Sequence, residues 1–122
     1  MILAEVGYDQ NKHDAEIEKI RRLNLNITQT IESLVAAYEL LYSVDDYSIN
    51  SGMCEDFGSD IISLFPEAVG YWDDEFTGKW EDGCHYFIFY KNKFYDSESP
   101  EGVASWQDLP LFQRQRQFSD VQ

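Results

Sequence analysis

The spacing of apolar residues changes at Pro66, and this change limits the folds that the chain can adopt. Before Pro66, apolar residues recur at the three- and four-residue spacing of helices, most clearly at Ile31, Leu34, Val35, Tyr38, Leu41 and Tyr42. After Pro66, short runs rich in aromatic and β-branched residues follow, as in residues 84–90, and these are typical of strands. The sequence therefore predicts an α+β fold, in which N-terminal helices and a cysteine-bearing helix pack on a small antiparallel sheet.

Capping residues set the expected limits of the helices. We expect a first helix capped by Asp14 and a second capped by Asn26 or Thr28. Residues 45–52 are polar and are expected to form a connection. A third helix is expected from about Ser51 or Met53 to Leu64, ended by Pro66.

Three strands are expected in the second half, at residues 68–72, 84–90 and 93–97. Lys91 and Asn92 form a candidate two-residue hairpin turn, since Asn tolerates positive φ. The chain is then expected to leave the sheet and to continue irregularly.

One domain is expected to span residues 1–122. It divides into a helical part over residues 1–49, a core over residues 50–113 and a frayed tail over residues 114–122.

Charge excludes several classes of function. Among 122 residues, 9 Lys+Arg stand against 23 Asp+Glu, a formal net charge of −14. Residues 44–86 hold 1 basic and 11 acidic residues, a net of −10. Such a field repels phosphate, so binding to nucleic acid or to an anionic membrane surface is not expected. The start of the chain has no signal-peptide pattern and the two cysteines are too few for a disulfide framework, which favours a cytoplasmic protein.

Cys54 is the candidate nucleophile. It lies at the start of the third predicted helix, where unpaired backbone N–H groups and the helix dipole stabilise a thiolate. Gly52 allows a tight entry to that helix, and the amide of Cys54 is a candidate oxyanion donor.

His85 and Asp96 are the candidate base and its orienting carboxylate. If the turn has two residues, paired residue numbers sum to 183, and His85 lies on the same sheet face as Asp96 and Glu98. In this register Glu98 faces His85 directly, so it is an alternative to Asp96. The expected roles are attack by Cys54, proton transfer by His85 and fixing of the imidazole tautomer by the carboxylate.

Other uses of the same residue types fit the sequence less well. Cys54, Cys84 and His85 lack the paired spacing of a structural zinc site, and residues 73–75 lack the spacing of a calcium loop. No metal and no cofactor is therefore predicted. His13 is distant in sequence and is expected at the surface.

Residues 50–57, NSGMCEDF, resemble the G-x-C-x-D-F segment of transglutaminase-like and related papain-fold cysteine hydrolases. Residues 83–88 and 91–96 resemble the His strand, hairpin and Asp strand of these enzymes, and residues 96–103 look like a continuation seen in small bacterial and phage proteins of this type. The resemblance covers residues 50–103. It implies a papain-like core and thiol-dependent acyl chemistry at three positions, Cys54, His85 and Asp96.

The same resemblance points to an oxyanion donor ahead of the cysteine. Papain-type enzymes place a Gln there, whereas this chain has no Gln between Gln29 and Gln107. Asn50, Tyr47 or a second backbone N–H are the candidate replacements.

The function expected from these residues is a hydrolase or acyltransferase acting on an amide bond in a neutral or cationic peptide or protein. Two alternatives stay open. One is a non-enzymatic acidic protein that occupies a basic surface of a partner, as a mimic of nucleic acid does, with Cys54 and His85 as core residues. The other is an inactive member of the hydrolase fold that keeps its three side chains.

Overall fold

The computed structural model describes residues 9–78 and 85–121, with the backbone alone for residues 116–121. These residues form six α-helices and four strands, which confirms the α+β expectation. In chain order the elements are α1 (Gln10–Leu23), α2 (Ile27–Tyr42), α3 (Asp46–Gly52), α4 (Cys54–Leu64), β1 (Val69–Trp72), α5 (Asp74–Thr77), β2 (Tyr86–Tyr90), β3 (Lys93–Asp96), β4 (Ser99–Val103), a 3₁₀ turn (Trp106–Asp108) and α6 (Pro110–Val121). No helix within the described ranges combines the length and the apolar character needed to cross a membrane.

Polar side chains fix the starts of the first two helices. The Asp9 carboxylate accepts from the backbone N–H groups of residues 11 and 12, so α1 begins before the expected cap, Asp14. The expectation for α2 is confirmed at Asn26, whose side chain accepts from the amide of Gln29 while the Gln29 side chain accepts from the amide of Asn26.

The sheet is antiparallel in the order β1-β2-β3-β4. The predicted hairpin is confirmed, because Lys91 and Asn92 have φ of 47° and 68° and Tyr90 pairs with Lys93. Two positive φ values at the turn are those of a type I′ turn. The register therefore keeps the expected residue sum.

The sheet has a fourth strand that the sequence did not predict. β4 pairs with β3 through Asp96↔Ser99 and Phe94↔Val103, so the expectation that the chain leaves the sheet here is wrong. β4 tolerates Pro100 because it is an edge strand, where a proline costs no ladder hydrogen bond on its open side. Gly102 supplies the positive φ, 80°, that the local irregularity of this pair requires.

Two helices also replace expected irregular chain. Asp45 accepts from the amide of Ser48 and begins α3 in the segment that read as a polar connection. Pro110 begins α6, which covers much of the expected frayed tail. Proline suits the first turn of a helix, where its missing N–H has no intrahelical partner.

Apolar side chains pack on both faces of the sheet. The larger cluster lies between α1, α2, α4 and one face of β2, and its fully buried members include Ile31, Leu34, Ile49 and Ile61. The smaller cluster covers the other face and contains Phe87, Leu109 and Phe112, so the chain from the 3₁₀ turn through α6 packs there.

Candidate active site

Cys54 is the first residue of α4, directly after the break between α3 and α4. Met53 makes this break with φ −131° and ψ 20°, and its amide still bonds to the carbonyl of Ile49 in α3. The backbone N–H of Tyr86 donates to the Cys54 Sγ at 3.5 Å. Both this N–H and the start of α4 stabilise negative charge on the sulfur.

His85 lies directly before β2 and is completely buried. Its Nε2 is 2.9 Å from Oδ2 of Asp96, the last residue of β3, whose side chain is 2% exposed. The Asp96 Oδ1 accepts from the backbone N–H of Glu98 at 3.0 Å. Asp73 holds the backbone of His85 from the other side, because its Oδ1 accepts the His85 N–H and its N–H donates to the His85 carbonyl. The imidazole is thus fixed through both its ring and its backbone.

The electrostatics of His85 favour the imidazolium. Burial by itself lowers the pKa of His85, but contacts with Asp96 and with the Cys54 thiol raise that pKa to about 9. Among the described residues, no group meets the buried second ring nitrogen, Nδ1, at strict hydrogen-bonding geometry, although the Cys54 thiol lies close to the ring. Since Asp96 occupies Nε2, Nδ1 is the nitrogen left to exchange a proton with the nearby Cys54 thiol. Catalytic hydrogen bonds are often long before substrate binds.

Asp96, and not Glu98, is the carboxylate bonded to His85. The Glu98 oxygens bind other groups, with Asn50 Nδ2 at 2.9 Å from Oε1 and the Arg114 guanidinium at 2.8 and 2.9 Å from Oε2 and Oε1. The pKa of Glu98 is lowered, because the hydrogen bonds from Arg114 and Asn50 outweigh the effect of burial.

The contacts of Asn50 and Tyr47, the candidate oxyanion donors, are with groups around Glu98 and Arg114. The buried Asn50 side chain binds Glu98 through its nitrogen and Ser97 Oγ through its oxygen, at 2.9 Å each. Tyr47 lies under the guanidinium of Arg114, with 4.6 Å between the Cζ atom and the ring centroid. The amide of Cys54, which has no partner in the ladder of α4 because the helix begins there, remains the candidate oxyanion donor.

Phe112 and Arg114 also lie at the site, although no pattern in the sequence indicated them as site residues. The Phe112 ring of α6 contacts the imidazole of His85 edge-on, with 5.4 Å between centroids. Phe87 contacts the same imidazole at 6.0 Å. A Pro followed by Leu and Phe at 110–112 was the available signal for a helix start with an apolar face.

Phe76 packs against the smaller apolar cluster, whereas Trp72 packs against Tyr86, a neighbour of the larger cluster. Phe76 contacts Tyr71, Phe87 and Trp106 at centroid distances of 5.2–5.9 Å, and Trp72 contacts Tyr86 at 5.2 Å. Cys84, considered above with Cys54 and His85 as a zinc ligand, lies outside the described residues.

A second polar cluster shows that the surface expectation for His13 is wrong. His13 is 6% exposed, and its ring nitrogens contact the Tyr42 hydroxyl and the Asp60 carboxylate. Tyr38 donates to the same Asp60 oxygen at 2.6 Å. Burial raises the pKa of Asp60, despite the hydrogen bonds it accepts. The reason for the difference is the early start of α1, which places His13 on the helix face that packs on α2 and α4.

No group of three or more His, Cys, Asp or Glu side chains suited to a metal ion occurs in the part of the chain that the structure describes. The groove beside His13 holds about 590 Å³, lies between α1 and α4, and is lined mainly by polar side chains. It opens on residues 56, 59, 60 and 63 of α4, away from Cys54.

Comparisons of this chain with models of protein families, with curated proteins and with solved structures find no match.

Proposed function

We propose that the chain is a thiol-dependent hydrolase or acyltransferase that acts on an amide bond through Cys54, His85 and Asp96. The observation that carries the proposal is the orientation of His85. Its Nε2 is bound to Asp96 at 2.9 Å, which leaves the buried Nδ1 for the nearby Cys54 thiol at a helix start, with no other partner among the described residues. Because a buried polar atom without a partner is costly, the thiol is the natural partner of Nδ1.

The reaction proceeds in two steps. In the first, His85 Nδ1 takes the proton of the Cys54 thiol, and the thiolate forms a bond with the carbonyl carbon of the substrate. The carbonyl double bond opens, and its oxygen takes the negative charge of the tetrahedral intermediate. His85 Nδ1 then gives its proton to the leaving amine as the carbon–nitrogen bond breaks, which leaves a thioester on Cys54. In the second, water or an acceptor amine attacks the thioester, passes a proton to His85 and releases the thiolate.

Asp96 acts on the imidazole and does not contact substrate. Its carboxylate accepts from Nε2 and stabilises the imidazolium that forms during the cycle. The bond from the Glu98 N–H to Asp96 Oδ1 holds the carboxylate in the orientation that this requires.

A papain-like or transglutaminase-like core is part of the proposal. The chain order Cys, His, Asp supports it, as does the position of the cysteine at the start of a helix beside the neighbouring strands β2 and β3 that bring His85 and Asp96 together. The strongly acidic surroundings favour neutral or cationic peptides as substrates, since anionic substrates are repelled at long range.

The experiment is acylation by p-nitrophenyl acetate, read by mass spectrometry of the intact chain and of the peptide containing residue 54. We expect one acetyl group on Cys54 in the native chain, released by hydroxylamine as a thioester is. Cys54→Ser and His85→Ala are the test variants, and Asp9→Asn, at an exposed helix cap, is the control. Equal acetylation of Cys54 in the native chain and in His85→Ala contradicts the proposal. Acetylation without release in water indicates the inactive member of the fold.

A second candidate function is a binding module for a basic protein surface. The groove between α1 and α4 supports it, because Asp14, Glu18, Asp56 and Asp60 line that groove beside a single Arg21. The complete burial of His85 also agrees with its being a core residue. Capture of a basic protein that persists in Cys54→Ala and weakens steeply with salt favours this function over catalysis.

A further inference from the structure

Glu98 is held in a geometry that binds a guanidinium group. Two nitrogens of Arg114 donate to its two carboxylate oxygens at 2.8 and 2.9 Å, which is the parallel, two-pronged arrangement that only a guanidinium can make. Asn50 donates to one of these oxygens, and its own oxygen lies 2.9 Å from Ser97 Oγ. The single Ser97 hydroxyl hydrogen is shared between that oxygen and the carbonyl of Asp46. The carboxylate is therefore oriented by buried groups that do not depend on Arg114.

Tyr47 forms a second wall of the same site. The Arg114 Cζ lies 4.6 Å from its ring centroid, within the range of a cation–π interaction. Tyr47 is 52% exposed, so one side of this wall is open to solvent. An aromatic face next to an oriented carboxylate recognises both the planarity and the charge of a guanidinium.

The site adjoins the three proposed catalytic residues. Glu98 bonds to Asp96 through its backbone N–H, and its carboxylate is close enough to His85 for the imidazole to contribute to the lowered pKa of Glu98. Phe112, two residues before Arg114, lies on the imidazole. α6 thus places Phe112 on the imidazole of His85 and Arg114 on Glu98, so the guanidinium lies near the proposed catalytic residues.

We propose that Glu98, Asn50 and Tyr47 form a guanidinium-binding subsite that the protein's own Arg114 fills in this structure, and that its substrates present an arginine side chain to it. This inference rests on the proposed function and names the substrate class of the same site. Arg114 is the exchangeable partner because its side chain is 33% exposed, whereas that of Glu98 is 14% exposed. The substrate guanidinium replaces that of Arg114, whose side chain turns out to solvent.

The test is binding of Nα-acetyl-arginine methylamide, followed by titration calorimetry and by NMR. Arg114→Ala empties the subsite and is expected to bind this ligand at least about tenfold more tightly than the native chain, the scale of hydrogen bonds to a charged group. Arg114→Gln serves the same purpose and retains the aliphatic stem, should the alanine variant not fold. Arg22→Ala, which removes an arginine exposed on α1, makes the same change in charge and is expected to bind as the native chain does.

Two further comparisons make the test specific. Addition of Glu98→Gln to Arg114→Ala is expected to abolish the gain, and the citrulline and lysine counterparts of the ligand are expected to bind about tenfold more weakly than the arginine ligand. Equal binding by Arg114→Ala and the native chain overturns the subsite, as does a gain that survives Glu98→Gln or extends to citrulline.

The outcome for the subsite is separable from the outcome for catalysis. Alkylation of Cys54 by iodoacetamide needs no guanidinium, so it reports on the thiol alone. Slow alkylation together with arginine binding by Arg114→Ala contradicts the enzyme and supports the subsite. Rapid alkylation without arginine binding supports the enzyme and overturns the subsite.

Discussion

At His85, burial and charge act on the imidazole in opposite directions. The ring has no exposed surface, which disfavours the imidazolium, yet Asp96 and Cys54 raise its pKa to about 9 from an ordinary value of 6.5. A folded-state pKa above the unfolded one means that protonation stabilises the folded chain. This stabilisation is complete below pH 6.5 and is lost as the pH rises through about 9.

The stability of the folded chain is therefore expected to depend on pH. The free energy of unfolding of the native chain is expected to fall by on the order of 3 kcal/mol from pH 6 to pH 9.5, at 1.36 kcal/mol per unit of pKa. Asp96→Asn removes the main charge partner and is expected to be less stable at pH 6 and to lose much less over the same range. Urea unfolding at a series of pH values measures both. A native stability that is flat or rises over this range contradicts the assignment.

At the scale of the elements, α4 packs on the sheet around the ring of Tyr86. A Cβ added to Gly58 would lie 2.6 Å from Tyr86 Cδ2, and one added to Gly70 of β1 would lie 1.7 Å from its hydroxyl oxygen. The two glycines thus hold the ring between α4 and β1. This packing sets the distance between the Tyr86 amide and Cys54 Sγ.

Gly58→Ala is therefore expected to destabilise the chain by about 1–3 kcal/mol, although alanine is the better helix former by about 1 kcal/mol. Because the substitution displaces β2 from α4, alkylation of Cys54 is expected to slow as well. The control is Ser59→Ala on the exposed side of the same helix, with a change within about 0.5 kcal/mol. Urea unfolding and alkylation rates measure the two effects, and a stabilising Gly58→Ala would show that the close approach is wrong.

Substitution of Asn92 in the turn between β2 and β3 is expected to change the free energy of unfolding. Both residues of the turn have positive φ, which costs residues other than Gly about 1–2 kcal/mol in steric strain, with Asn at the low end. Asn92→Gly is expected to raise the free energy of unfolding by about 0.5–1 kcal/mol, since Gly has no such strain. Asn92→Val is expected to lower it by about 1 kcal/mol or more. Thermal unfolding of both variants checks this, and a destabilising Asn92→Gly contradicts the turn type.

The elements that the sequence predicted are those with local signals. The turn at Lys91 and Asn92 fixes the register of β2 and β3, and the register places His85 and Asp96 on one face. A turn longer or shorter by one residue would place Asp96 on the opposite face of the sheet from His85. The two-residue turn is therefore sufficient to put both side chains on one face.

The missed elements depend on tertiary contacts. The edge strand β4 forms although Pro100 weakens its local preference, and α6 is covered on one side by the apolar cluster around Phe87. The pair of Glu98 and Arg114 is separated by 16 residues and shows no periodicity, so no pattern in the sequence indicated it. The surface position expected for His13 is wrong because α1 begins earlier than expected, at the cap Asp9. His13 therefore lies within the helix, on a face that packs against the rest of the protein.

For the molecule as a whole, the net charge of −14 acts on stability as well as on substrates. Like charges repel in the compact state, and exposed charges more than a Debye length apart are screened by salt. The free energy of unfolding in urea, an uncharged denaturant, is therefore expected to increase between about 10 mM and about 0.5 M NaCl. A decrease over this range would mean that favourable ion pairs, such as that of Glu98 and Arg114, outweigh the general repulsion.

The proposed chemistry requires that His85 activates the Cys54 thiol. The rate of alkylation by iodoacetamide near neutral pH, followed for each cysteine by mass spectrometry, measures this activation most directly. The native chain is expected to react at Cys54 at least about tenfold faster than a free cysteine thiol, because the thiolate is the reactive form. His85→Ala is expected to reduce the rate to that of the free thiol, and Asp96→Asn to an intermediate value. If Cys54 reacts no faster than a free thiol and His85→Ala does not change its rate, His85 does not activate Cys54.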